Sequence, residues 1–372
     1  MGNAAGPLSS GRLHGLDAAR AISMTIGLLT HGVAAYVVSD MGWPVVDRSR
    51  TIVADAFILF VYFFRLPSFF MLSGFFARLL YTKRGPRAFA ENRVKRILIP
   101  FIVALFPINV AQIAVDRVAR GERVLPIGLV PQSTQHLWFL YYLSLTLAAA
   151  LMLKLIPWPA GRVGAVDRWF GRTIQSASAP LVFALPTAIL LVATNGITTR
   201  QGFVPDPVVL LFFCLFFGVG WLFHRQAGLI ASLAEGVNRR AILAALSAVL
   251  MVVIGFQASR WGTGAIWIAY FFRAAFCWYM SFAFIGFFLK RFSAQGPILG
   301  YLADASYWSY IVHLPFLVLV QAGLAETRLP VIVKFGLVMI ATVTFCLTSY
   351  HFLVRFTWLG GVLNGRRIPR AS

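Results

Sequence analysis

The stretch DAFILFVYFFRLPSFFMLSGFFARLLY, residues 55–81, carries only Asp55, Arg65 and Arg78 as charges in a run long enough to cross a bilayer. A hydrocarbon core of ~30 Å takes about 20 apolar helical residues. Only a helix or a closed barrel satisfies its own backbone there. The same signature recurs at about 17–38, 97–115, 136–156, 178–195, 207–223, 240–258, 264–289, 306–324 and 331–355. Turn signals separate several of these runs: Gly85-Pro86, Pro157-Trp158-Pro159, Pro205-Asp206-Pro207 and Gly296-Pro297. The fold expected is an all-α polytopic membrane protein of about ten transmembrane helices.

The totals agree. Of 372 residues, 59% are hydrophobic and 12% charged, against ~45–50% and ~25% in soluble domains, so most of the surface faces lipid. The net charge of +21 would suggest nucleic acid in a soluble domain. Here the basic residues lie between apolar runs, where they set topology, and no nucleic-acid partner is expected. One set of alternate loops, with both termini, holds 20 Lys and Arg; the other holds 8. Both termini are therefore expected in the cytoplasm, with a tail at 1–16, a membrane domain at 17–355 and a basic tail at 356–372. The first run has no small-residue cleavage site after it and reads as a retained helix. Cys214, Cys277 and Cys346 lie in apolar stretches without metal or disulfide spacing. No metal is expected.

Ionisable groups at membrane depth cost ~2.5–3.5 kcal/mol each at a helix centre, so each is a functional candidate. Arg20 and His31 stand eleven residues apart on the first helix. At ~3.6 residues per turn and ~1.5 Å rise they share a face within ~20° and are separated by ~16 Å in depth. Asp17 either pairs with Arg20 or caps the helix start. A neutral imidazole accepts a proton from an alcohol near working pH, which makes His31 a candidate general base. A packing histidine bonded across helices explains it equally, and His31 with His313 as haem ligands is a remoter reading. Arg65 and Arg273 call for an anion or carboxylate; an interhelical ion pair or snorkelling is the alternative. Lys83, Arg84, Arg87, Arg93, Lys95 and Arg96 suit the phosphates of a nucleotide-like cofactor, but such a loop taken alone more often marks only the inside face. Arg93 and Arg96 are the better pair, since their i, i+3 spacing puts both on one helical face just before the third span. Ser306, Tyr310 and His313 form a polar stripe that fits either sugar hydroxyls or a helix–helix seam.

Five blocks together resemble the acyltransferase family 3 membrane enzymes. They are Leu16-Asp17-Ala18-Ala19-Arg20 followed by ten residues and His31, Phe69–Phe75, Asn92–Pro100, His136-Leu137-Trp138-Phe139-Leu140, and Ser306–Pro315. Phe64-Arg65-Leu66-Pro67 through Phe76, with Arg78 and Gly85-Pro86-Arg87, resembles the branch that succinylates osmoregulated periplasmic glucans. The resemblance implies a bacterial inner-membrane, multi-pass O-acyltransferase. Its acyl-coenzyme A donor, succinyl-CoA or acetyl-CoA, would reach it from the cytoplasm as substrate, with no permanently bound cofactor. A glycan or other hydroxyl acceptor would lie on the outer side. Arg20, Arg93 and Arg96 would hold coenzyme A phosphates and His31 would be catalytic. Arg65, Arg273, Ser73, Trp138, Tyr310 and His313 are the candidate substrate-binding residues. Two rival classes use the same residues: a transporter or flippase for an anionic or glycan substrate, and a structural subunit glued by polar seams. Oligomeric state has no signal in the sequence.

Overall fold

The computed structural model describes residues 10–122, 131, 133–194, 196, 201–292 and 296–365. Parts of the two expected tails lie outside these residues. Each apolar run named above is largely helical, and the described residues contain no strand. The helices are α1 (Ser10–Val33), α2 (Ile52–Arg93), α3 (Ile99–Ala119), α4 (Trp138–Leu155), α5 (Ala160–Gln175), α6 (Ala179–Ala193), α7 (Pro207–Arg225), α8 (Val237–Trp261), α9 (Thr263–Arg291), α10 (Pro297–Ala325), α11 (Val331–Ser349) and α12 (Trp358–Asn364).

Among the described residues, seven helical stretches are long and apolar enough to cross a membrane, or eight if α5 and α6, bent by 113°, form one span. The difference from about ten has three physical sources. Asp17, Arg20 and His31 lower the hydropathy of α1. α6 has 15 residues, ~22 Å at ~1.5 Å per residue, short of the hydrocarbon thickness. α2 and α3 run together through a π-helical turn, Val94–Leu98, and count as one stretch, Ile52–Ala119.

Two local departures matter. Gly85, at φ 79°, breaks α2 into two helices at the Gly-Pro turn signal, a conformation open to glycine at no steric cost. α5 occupies what the sequence presents as the 154–177 loop. It buries Phe170, Gly171 and Ile174 and leaves Arg162, Arg168 and other polar groups outward, as an interfacial helix does. Asp167 anchors it to the end of α7, accepting from Arg225 Nε at 2.6 Å.

The core forms around α9, whose apolar window is 72% inside the protein, against 11% for α8 and 22% for α11. α9 packs against α1, α2, α6 and α8, while α1 also meets α2, α10 and α11. α2 and α7 cross closely through reciprocal glycines: Gly74 leaves room for the Phe217 carbonyl and Gly220 for the Met71 carbonyl. In the Ser73-Gly74-Phe75 stretch the glycine thus serves helix approach.

The connection 37–51 between α1 and α2 is tied down by a buried ion pair. Lys334 on α11 donates to both carboxylate oxygens of Asp47, at 2.8 and 3.0 Å, and to the Ala325 carbonyl at 3.1 Å. The two side chains are 0% and 2% exposed. Asp47 also accepts from the Ser49 amide, and its own amide donates to the Ala35 carbonyl. All three ammonium protons are satisfied, which a buried charge requires. Removing one partner strands the other, so Asp47→Asn and Lys334→Met should each cost about 3–5 kcal/mol. Combining Asp47→Leu with Lys334→Met in one chain should cost less than either single change. Thermal unfolding in detergent checks this, and single variants as stable as the parent would contradict it.

Candidate active site

α1 ends where its last carbonyls need donors. Gln321 of α10 supplies them, its Nε2 donating to the carbonyls of His31 (3.0 Å) and Gly32 (3.1 Å). Its Oε1 in turn accepts from Trp43 Nε1 at 2.9 Å. One amide therefore fixes the end of α1, the face of α10 and the α1–α2 connection. The Trp43 ring stacks on His31, with centroids 5.5 Å apart and an interplanar angle of 23°.

Three imidazoles converge beneath that tryptophan. The His31 and His313 centroids are 5.3 Å apart, and those of His313 and His136 5.2 Å. His313 is 1% and His136 4% exposed, whereas His31 is only half-buried. Tyr310 closes the group by donating from its hydroxyl to the His136 carbonyl at 2.6 Å. The sequence stripe is thus divided: Tyr310 and His313 face the cluster, while Ser306 turns its hydroxyl to the Ala303 carbonyl of its own helix. His136 is not among the residues the sequence singles out, although its block is. Gln135, at φ 47°, turns the chain immediately before it.

Arg65 belongs to this cluster. Its guanidinium fills the space that Gly27 leaves on α1, one turn before His31. It lies in electrostatic reach of His31, His313 and Tyr310. Among the described residues it has no carboxylate partner, and Nε is buried without a hydrogen bond. Arg273 is placed differently. Its guanidinium lies 3.6 Å from the Phe63 ring centroid and 5.8 Å from that of Tyr270, a cation–π setting. Gly196 gives its Nη1 room. Tyr62 is in electrostatic reach of both arginines.

At the other end of α1, Arg20 pairs with Asp17 at 2.9 Å, so Asp17 is an ion-pair partner inside the helix and not its cap. Arg20 Cζ lies 4.8 Å from the Phe76 centroid on α2. Arg20/Phe76 and Gly27/Arg65 are successive contacts along one antiparallel α1–α2 seam. Arg93 is coupled electrostatically to Arg20 and Arg96, and Arg96 to Arg20 and Arg84. The three arginines expected to act together therefore stand together, with Arg84 added. Arg96 sits on a π turn rather than the α-helical face its spacing suggested. Its guanidinium rests against Gly365, just past α12. Arg93 Nε and Asn92 Oδ1 are buried without hydrogen-bond partners among the described residues.

Two expected substrate contacts stand apart. Trp138 packs edge-on against Tyr142 and lies 6.2 Å from Phe213. Ser73 is half-buried on α2, eight residues beyond Arg65, ~12 Å further along the helix. A groove of about 560 Å³ between α10 and α11 is lined by Phe316, Phe345, Phe352 and neighbours. None of its lining residues is a candidate site residue. The described residues hold no cluster of His, Cys, Asp or Glu arranged for a metal ion, the three histidines included.

Comparison with known proteins covers nearly the same ground as the site. Residues 13–351 match the acyltransferase family 3 model, described as "Acyltransferase domain". Glucans biosynthesis protein C of Escherichia coli strain K12 is 23% identical over 337 residues, covering 83% of each chain. The protein of the same name from strain SMS-3-5 gives the same figures. No solved structure matches significantly. A match from the residues before Arg20 to those beyond His313 makes this chain a member of the acyltransferase family 3 membrane proteins.

Proposed function

We propose that the protein is a membrane-embedded O-acyltransferase that moves an acyl group from cytoplasmic acyl-coenzyme A to a hydroxyl of a glycan on the outer side. The observation that carries this reading is the pairing of a cationic cluster at one end of α1 with a histidine cluster at the other. In this reading the chain crosses the bacterial inner membrane about ten times, with both termini cytoplasmic. The Arg20 end then faces the cytoplasm, and His31 lies toward the outer half.

Arg20, Arg93 and Arg96 hold the coenzyme A phosphates, for which forked guanidinium donors are suited. The pantetheine arm spans the ~16 Å between eleven-residue neighbours on α1. His31 accepts the acceptor's hydroxyl proton as that oxygen attacks the thioester carbonyl carbon. The new C–O bond forms, the C–S bond breaks, and the coenzyme A sulfur leaves as a thiolate that takes the proton back from the imidazolium. Arg65 stabilises the oxyanion of the tetrahedral intermediate or the donor's own carboxylate, a role supported by its position beside the imidazoles and its lack of a carboxylate partner among the described residues. The name of the relatives, glucans biosynthesis protein C, supports a glucan as acceptor. Two basic side chains with no carboxylate partner among the described residues favour a donor that carries one, succinyl over acetyl.

His31→Ala should lower acyl transfer at least ~100-fold, in the range of lost general-base catalysis, while leaving membrane insertion intact. Mass spectrometry of outer glycans and lipids from cells carrying each form reads this, and the mass step identifies the acyl group. A well-inserted variant with near-normal transfer would refute the role. Substrate movement without acyl-coenzyme A consumption would point to a transporter instead.

If Arg65 or Arg273 receives the distal carboxylate, replacing it with Leu should reduce succinyl transfer far more than acetyl transfer. The expected difference is roughly tenfold or more, the value of one charge-assisted hydrogen bond. Competition between the two labelled donors measures it. Equal losses for both donors in both variants would assign these arginines to folding or to the acceptor.

A further inference from the structure

His136 and His313 each have one ring nitrogen committed to a backbone carbonyl. His136 Nε2 donates to the Ile311 carbonyl at 3.0 Å. His313 Nδ1 donates to the Tyr310 carbonyl at 2.8 Å and is 3.1 Å from that of Ser309. A carbonyl only accepts, so these nitrogens carry the hydrogens, and in the neutral rings His136 Nδ1 and His313 Nε2 carry lone pairs. Both of those atoms are buried, and neither has a hydrogen-bond partner among the described residues. Unsatisfied buried acceptors are costly. Their rings are nearly perpendicular, at 80°, and the His31 ring centroid lies 5.3 Å from that of His313.

Two fixed acceptors need donors. Phosphate and carbonyl groups have none, and an ammonium would meet the Arg65 guanidinium at close range. Hydroxyl groups fit. We propose that His136 and His313 form a paired acceptor site for hydroxyls flanking the one that reacts at His31, so that the protein selects a polyol such as a sugar over an isolated alcohol. His136 is a positioning residue in this scheme, contributed by the segment just before α4. The proposal rests on the acyl-transfer reading for the identity of the reacting hydroxyl.

The test uses the full-length protein in lipid nanodiscs, with a linear glucose oligosaccharide and a panel of monodeoxy methyl glucosides as probes. Binding is measured calorimetrically without acyl-coenzyme A, and transfer from succinyl-coenzyme A separately. His136→Phe should weaken oligosaccharide binding roughly tenfold and leave the KM for succinyl-coenzyme A unchanged. His136→Gln, whose amide offers both a donor and an acceptor, should restore most of the affinity. At least one deoxy glucoside should bind more weakly than its parent to the native protein but equally to the Phe variant.

No oligosaccharide binding by the native protein, equal binding by native and Phe forms, or a Gln variant as weak as Phe would overturn the inference. So would the absence of any such deoxy glucoside. A raised KM for succinyl-coenzyme A with unchanged sugar binding would do the same, by giving the two atoms to pantetheine amides. The expected binding pattern without transfer by the native protein would sink the acyl-transfer reading alone. Transfer without His136-dependent binding would sink only the hydroxyl pair.

Discussion

The Gln321 side chain holds the geometry on which the rest depends. A helix that ends inside protein leaves carbonyls that must find donors, and α1 finds them on α10, in one amide that serves His31 and Gly32 together. The same amide receives the Trp43 indole, so the end of α1, the C-terminal end of α10 and the connection above them share one hydrogen-bonded junction. The buried Lys334–Asp47 pair secures that connection a few residues on. Because the imidazole of His31 projects from the clamped turn, its position relative to His313 is set by backbone hydrogen bonds as well as by packing.

From that junction the α1–α2 seam runs back toward Arg20. Gly27 admits the Arg65 guanidinium at the level of the histidines, and Phe76 meets Arg20 at the other end. Cationic character thus extends along one seam, from a half-buried basic cluster to an arginine among imidazoles. An anionic ligand with a polar reactive end would find attraction along that whole length. Glycine at the close contacts and aromatic rings around the charges are what make such a seam tolerable inside an apolar bundle.

Much of this was legible because charge is conspicuous in apolar sequence. Arg20, His31, Arg65, Tyr310 and His313 stand out within their runs, and helical spacing alone places the first two on one face. The remainder depended on tertiary placement. His136 precedes α4 at a backbone turn set by the positive φ of Gln135, and no periodicity marks such a position. Gln321 and Trp43 are unremarkable until α1 ends against α10. Lys334 is visible as a charge in a span, but its partner Asp47 lies in a loop far away in sequence. α5 carries too many charges for a spanning segment, so its amphipathic pattern reads as a connection until Phe170 and Ile174 find their buried face. The π turn at Val94–Leu98 brings Arg96 to Arg20 by a route that simple α-helical spacing does not describe.

The central claim is that one donor molecule bridges the two ends of α1, and a cryo-electron microscopy structure of the full-length protein with a non-hydrolysable succinyl-coenzyme A analogue tests it most directly. The account predicts phosphate density against Arg20, Arg93 and Arg96. It also predicts the acyl carbonyl beside His31, close enough for an attacking oxygen held by the imidazole to lie within ~3.5 Å of the carbonyl carbon. Phosphates bound away from that cluster, or an acyl group ending in a compartment that His31 does not face, would contradict it.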